Sequence, residues 1–453
     1  CVSFQIDRCF WRNLMKDYFQ KVSQLLFNEL DSSEILILNF EAEITDFVRF
    51  NKSKIRQAGR VHQASIDINL ITKKRTLRSS LRLSTDFHKD KTLIIRTLFY
   101  LRREVTELPK DPYLVYEKKL HSSDFIDNQG LDSFEMTSRI IDISSSHDMV
   151  GILSSGQIIK GFANSFGQFN WHESDSFNFD WSLYNKEGKA IKQNYADQKW
   201  NQETFSELYE NSAEQLEVIG EKEQKMQPGS YRVYLSPSAL NEIIDMMSWG
   251  GFSYKANKIG SSPLHLMVKG ERIFNSSVTF SEDLSNGISP RFHSDGFIKP
   301  ENTRLISEGK YERSLISPRS ALEYSVKHNA AEDYESPVSI TLNTGEINSS
   351  DILGKLETGI YLNNLWYLNF SDRNNARITG LTRFGCFYVK NGEFVGPINT
   401  MRFDETMYNI FGEKLIGLTD KQQLLMDTST YEERSIHSST IPGAIVEDFK
   451  LTL

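Results

Sequence analysis

Residues Leu235–Gly251, LSPSALNEIIDMMSWGG, read as one capped amphipathic helix with a defined start and stop. The Ser236 hydroxyl is placed to accept from first-turn N–H groups. Pro237 suits the first turn, where an N–H would have no helical partner. Leu240, Ile243, Ile244 and Met247 recur at three- and four-residue spacing and form the apolar face. Gly250 and Gly251 end the helix. Just before it, Tyr231, Val233 and Leu235 stand at strand spacing. The stretch therefore predicts a strand running straight into a helix that buries one face.

Working outward from this helix gives an α+β chain. Trp11, Leu14, Tyr18, Val22, Leu25 and Leu26 predict a first helix over about residues 10–30. Asp31–Ser33 breaks it, and Ile35–Leu38 reads as a buried strand. Ile66, Ile68 and Leu70 alternate with Asp67 and Asn69, the period of a sheet with one wet face. Thr72–Arg75 is a turn into a partner strand that carries Leu81 and Leu83. Leu93–Leu101 is helical, and the polar stretch 105–147 reads as a loop followed by a helix. Ile152–Gly167 is expected to form a strand, a glycine turn, a second strand and another turn. Phe177, Phe179, Trp181 and Tyr184 add β-like material, and Phe205, Leu208, Leu216 and Ile219 predict a helix over 202–220. Beyond residue 260 short β runs alternate with Gly, Ser and Asn turns, with strands expected at Val338–Leu342, Cys386–Val389 and Ile441–Phe449. The polar segment Gly220–Gly229 divides the chain into an expected N-terminal α/β domain, 1–225, and a C-terminal β-rich domain, 226–453. The helices and the antiparallel or mixed sheet fall in the first.

The bulk numbers narrow the function classes. The 453 residues allow two or three domains. With 39% hydrophobic and 25% charged residues, the composition is that of a globular protein and not of a disordered one. Net charge is −8, from 60 acidic and 52 basic residues, which disfavours a protein built around nucleic-acid backbones. Cys1, Cys9 and Cys386 are too few for a disulfide framework and form no metal knuckle, so a reducing compartment is expected. No run of about 18 apolar residues occurs, and the first twenty residues do not resemble a signal peptide. The expectation is a cytoplasmic protein with no membrane segment.

Several residues carry chemistry worth weighing. Glu242 and Asp245 lie three apart on one helical face, where two carboxylates can meet a cation; a solvated polar edge accounts for the same spacing. No two of the nine histidines stand four apart on a helix. His293-Ser294-Asp295-Gly296 is the most chemical-looking cluster, although a Ser-His-Asp relay is assembled by the fold and not by adjacency. A structural loop and a contact to a peptide or an interface are the competing readings. In Ser371–Arg383 the forked donors Arg373, Arg377 and Arg383 suit carboxylates or peptide carbonyls. Asn374 and Asn375 suit a turn or peptide hydrogen bonds. This stretch is either a surface hairpin or the lining of a peptide channel or dimer seam. Cys386, inside a strand pattern, reads as an inert buried thiol. Gly156 and Gly161 lack the strand–loop–helix context of a dinucleotide fingerprint.

Longer strings carry a resemblance. FEAEITDFVRFNKSKIRQAGRVHQASIDINLI (Phe40–Ile71), GFANSFG (Gly161–Gly167), WYLNFSDRNNARITGLTRFGCFYVKNGEFVGPINTMRFDETMYNIFG (Trp366–Gly412) and PGAIVEDF (Pro442–Phe449) together resemble the TldD/PmbA family over nearly the whole chain. The resemblance implies an N-terminal α/β domain, a β-rich C-terminal domain and dimerisation between similar chains. It also implies a division of labour. TldD-type chains are zinc peptidases with an HExxxH on this helix and a late cysteine. The TldE or PmbA branch lacks the metal site and completes a closed chamber in which unfolded or leader peptides are cut. Here the two histidines would fall near Asp245 and Gly250, no HExxxH occurs, and no cysteine lies between Thr419 and Leu453.

The expectation is therefore a chain with no catalytic and no metal-ligating residues of its own. It would be a non-metal subunit that positions an unfolded peptide beside a zinc-bearing TldD-like partner or pairs with itself. Its peptide-groove or interface residues would be His293, Asp295, Arg373, Asn374, Arg377 and Arg383. Two alternatives stand beside it: a self-sufficient hydrolase built around His293 and Asp295, and a regulatory or binding homodimer. Related chains bear an early label as modulators of DNA gyrase, for which the acidic charge gives no direct DNA-binding rationale.

Overall fold

The structure, a computed structural model, describes residues 8–127 and 130–453. Cys1 and the side chain of Cys9 lie outside what it describes.

The first half is one long-stranded sheet with helices on one face. Helix α1 (Arg8–Asn28) leads into strands β1 (Glu34–Asn51), β2 (Lys54–Thr72) and β3 (Arg75–Leu83). Both connecting turns are tight, with Lys52, Ser53, Lys73 and Lys74 at positive φ, as two-residue hairpin turns require. Next come α2 (Phe87–Glu104), β4 (Ser123–Asp127), α3 (Ser133–Ser144), β5 (Asp148–Asn164), β6 (Phe169–Tyr184), β7 (Ala190–Asp197) and α4 (Gln202–Ile219). The strand order is β3-β2-β1-β5-β6-β4, with β7 also on β6. All pairings are antiparallel except β4 with β6.

The pleat of β1 explains the layering. Leu36, Leu38, Phe40, Ala42 and Ile44 pack under α1 and α2, and Val48 and Phe50 belong to the core beside α3 and α4. These are alternate residues, so the helices lie along one face of the sheet. Residues of the opposite parity, Ile37, Asn39 and Glu43, meet the second half of the chain instead.

One expectation needs correcting. Residues 152–167 do not fold back at a glycine turn: β5 runs unbroken through Gly156 and Gly161. These glycines mark close approach. A Cβ on Gly156 would stand 2.0 Å from the Ile44 carbonyl oxygen, and one on Gly161 would stand 2.9 Å from the Phe19 ring.

The second half is a mixed sheet wrapped around the capped amphipathic helix that follows Leu235. Strand β8 (Gly229–Leu235) enters α5 (Pro237–Ser248), whose Ser236 cap accepts from the Ala239 N–H at 3.1 Å. The remaining strands are β9 (Phe280–Asp283), β10 (Asn302–Ser307), β11 (Lys310–Tyr311), β12 (Ser339–Leu342), β13 (Gly359–Asp372), β14 (Arg377–Lys390), β15 (Glu393–Pro397), β16 (Arg402–Thr406), β17 (Leu415–Met426) and β18 (Ser438–Leu451). Because β8 pairs with both β13 and β18, the path β8-β13-β14-β16-β18 closes on itself. Leu240, Ile243, Ile244 and Met247 are fully buried and share one core with Ile360, Leu362, Phe403, Ala444 and Val446. The predicted apolar face of the helix is thus the face that packs. Among the described residues, no helix is long and apolar enough to cross a membrane.

Candidate functional site

The polar face of α5 looks into a cavity of about 390 Å³ between the two halves of the molecule. Ser238, Asn241, Glu242, Asp245 and Ser248 come from the helix. Asp180 and Lys192–Asn194 come from β6 and β7 of the first sheet, and Leu425–Thr428 and His437–Ser439 from the end of β17 and the start of β18. Glu242 and Asp245 do share a face, and both are exposed to solvent where that face forms one wall of an open cleft.

Crowding in the cleft alters its carboxylates. Desolvation, then the neighbouring Glu242 and Asp427, push Asp245 up to about 7. Asp245 accepts a hydrogen bond from the Asn241 amide, 3.1 Å away. Glu242 is raised by desolvation, against the pull of Lys192. Lys192 Nζ lies 3.4 Å from Asp180.

This donor set does not fit the zinc that the sequence resemblance implies for TldD-type chains. Asp245 is the sole carboxylate at the first expected histidine position, and Gly250 offers no side chain. A Cβ at Gly250 would lie 2.9 Å from Arg373 Nη2, so a guanidinium occupies the space of the second ligand. Catalytic zinc needs three converging donors and tolerates no cation among them.

Arg373 is held in place. Its Nη2 donates to the Trp249 carbonyl at 2.5 Å and its Nε to the Ser261 carbonyl at 2.8 Å. Its guanidinium also lies over the Trp249 and Phe370 rings, at 5.3 and 4.7 Å from their centroids. It ties the turn at the tip of the β13–β14 hairpin to the end of α5. Asn374 sits exposed in that same turn. Arg377 pairs with Asp404 at 3.1 Å. Arg383 is exposed and stacks on Trp366, 4.7 Å from the ring centroid. The four residues of this stretch lie along one hairpin but do not converge on one point.

His293 and Asp295 lie elsewhere, beneath the first sheet. His293 is wholly buried, and its Nδ1 accepts from the Asp295 N–H at 2.9 Å. Among the described residues its Nε2 has no hydrogen-bond partner, and it faces Glu332 at 3.7 Å and Asp333 at 3.9 Å. Lys299, also buried, pairs closely with Glu332. Desolvation pushes the Asp295 carboxyl up to about 6, opposed by His293. His293, Asp295 and Asp333 bring ligand atoms within 4.8 Å of one another, a spacing that can hold a metal. The Lys299 ammonium beside Glu332 and the backbone donor on Nδ1 equally fit a polar turn that fixes the loop. Sequence reasoning found His293 and Asp295 but missed Lys299, Glu332 and Asp333, which reach the site only through the fold.

Cys386 is buried, and desolvation pushes its thiol up to about 11, as an inert strand residue requires.

Residues 228–453 match the family model described as the PmbA/TldA metallopeptidase C-terminal domain. The chain belongs to the TldE/PmbA family. Its fold is that of TldE from Thermococcus kodakarensis, with a TM-score of 0.73 and 13% identity over 97% of this chain and 100% of that one. It is equally similar to a chain from Thermotoga maritima described as "a putative modulator of a DNA gyrase", with a TM-score of 0.74 and 13% identity over 96% of this chain and 100% of that one. A chain from Bacteroides thetaiotaomicron with the same description has a TM-score of 0.72 and 13% identity over 96% of this chain and 98% of that one. No curated protein matches the chain. For a TldE/PmbA-family protein the expected α+β architecture, helices on a largely antiparallel sheet followed by a β-rich half, is the observed one.

Proposed function

We propose that this chain is the non-metal subunit of a two-chain peptidase assembly, holding an unfolded or leader peptide beside the zinc of a TldD-like partner. The observation that carries the reading is the state of α5. The helix keeps its Ser236 cap and its fully buried apolar face, while Asp245 and Gly250 stand where imidazoles would be needed and Arg373 fills the space beside Gly250. Scaffold without ligands suits a supporting role. The cleft beside α5 is lined from both halves of the molecule, which suits a segment of extended chain. The exposed Trp366 and Tyr367 on the β13–β14 hairpin suit contact with a second chain. The self-sufficient hydrolase has less support, because His293 is wholly buried and its Nδ1 already accepts a backbone hydrogen bond.

The test is reconstitution. The purified chain, an HExxxH-bearing family member from the same cell, and the two together are assayed on an unfolded peptide, with zinc measured in each. Cleavage that needs both chains, with zinc only in the partner, is the expected result. Stoichiometric zinc and chelator-sensitive cleavage by this chain alone would overturn it.

A further inference from the structure

The cavity beside α5 is lined by more acceptors than the protein's own donors meet. Asp180, Glu242, Asp245 and Asp427 line it, against the single ammonium of Lys192. The amide of Asn194 shows which kind of atom is left over. Asn178 spends its Nδ2 on the Asp427 carbonyl at 3.3 Å, so its Oδ1 must accept, and it does so from Asn194 Nδ2 at 2.5 Å. That relay fixes the orientation of the Asn194 amide. Asn194 is 8% exposed and lines the cavity, and among the described residues its Oδ1 has no hydrogen-bond partner. The Asn241 Oδ1 and Asp180 Oδ1 atoms are also unpartnered. Buried acceptors without donors are costly, and a donor-rich ligand relieves that cost.

We infer that this cleft recognises a cationic nitrogen group of the bound peptide, an ammonium or a guanidinium, between the Glu242–Asp245 face of α5 and the Asn194 amide of β7. The inference rests on the peptide-holding reading above and adds the chemical class of the group that is held. A primary ammonium brings three donors and one positive charge, and a guanidinium brings five donors. Either can meet an α5 carboxylate and the Asn194 Oδ1 together. A neutral side chain meets the same acceptors without offsetting the charge. Two parts of a peptide carry such a group: a Lys or Arg side chain and the free N-terminus.

Fluorescence anisotropy on the full-length chain separates the outcomes with three labelled peptides of one flexible, uncharged backbone. One has two central lysines and an acetylated N-terminus, the second has those lysines acetylated, and the third has no lysine and a free N-terminus. The first is expected to bind about 10-fold more tightly than the second, equivalent to one properly placed charge pair. In the E242Q/D245N double variant the ratio of the two affinities is expected to fall from about 10 to about 1. Comparable preference for the third peptide would assign the group to the N-terminus. Equal binding of all three would overturn the cationic recognition and leave the peptide-holding role standing. A lysine preference that survives in the double variant would also overturn it, by placing the charge reading elsewhere. Binding of none of them would remove both readings. The peptide comparison needs no variant, so it holds even if the double variant folds poorly.

Discussion

The guanidinium of Arg434 donates to the Gly156 carbonyl oxygen at 3.2 Å, across the interface between the two halves of the molecule. Its other nitrogen reaches the Ser176 carbonyl at 3.0 Å and the Ser176 hydroxyl at 2.7 Å. Gly156 and Ser176 are opposite each other in the β5–β6 ladder, so one side chain from the segment before β18 grips two neighbouring strands. At 4% exposure the grip is desolvated. Replacing Arg434 with Ala leaves those acceptors without their charged donor. The expected loss is about 3 kcal/mol, and R434K should restore only part of it, because an ammonium cannot span both carbonyls as the planar fork does. Urea unfolding measures it; a midpoint equal to that of the unchanged chain would show that the interface does not depend on this contact.

The same glycine sets a second expectation. A Cβ on Gly156 would stand 2.0 Å from the Ile44 carbonyl, a backbone atom that cannot swing aside. G156A should cost about 3 kcal/mol or more, or fail to fold. Gly59 on β2 is the control, since nothing lies within 4 Å of its added Cβ. G59A should change stability by no more than about 0.5 kcal/mol. Thermal melts of the two variants side by side decide the matter, and equal melting temperatures would contradict the close approach.

The cleft carboxylates make stability depend on pH with a definite sign. Asp245 titrates near 7 in the folded chain, against an ordinary value of 3.8. Between those values the folded form holds a proton that the unfolded form has released, so stability falls as pH rises. D245N removes that penalty. It should stabilise the protein at pH 8 and have no such benefit below about pH 4, with a gain on the order of 1 kcal/mol after solvent screening of an open cleft. Paired urea titrations at the two pH values test this. A D245N benefit that is larger at pH 4 would reverse the sign and refute the account.

Much of the fold could be read from local pattern. The alternation of Ile66, Ile68 and Leu70, the Lys73–Lys74 turn and the capped helix α5 (Pro237–Ser248) each rest on neighbours within a few residues, where period and capping decide the outcome. The strand β5 could not be read the same way. Glycine permits a turn, and only the proximity of Ile44, more than a hundred positions earlier, shows that it serves packing instead. β4 and β7 were missed because each is short and gains its place by pairing with β6. The candidate site was legible in half. Glu242 and Asp245 could be placed on one face of α5, but Asn194, Lys192 and Asp427 arrive from other strands and turn that face into a cleft. His293 likewise showed itself beside Asp295, while its companions Glu332 and Asp333 come from some forty positions away.

The closed path of the second sheet has a consequence for how the chain is made. β8 is synthesised some two hundred residues before β18, its hydrogen-bonded neighbour. Until that last strand leaves the ribosome, β8 presents an unpaired edge, and the apolar face of α5 lacks the floor supplied by Ala444 and Val446. Contacts this distant in sequence close slowly, and open strand edges invite mispairing in the interval. The second half therefore completes itself late and all at once, whereas the meander of β1, β2 and β3 can pair as it emerges.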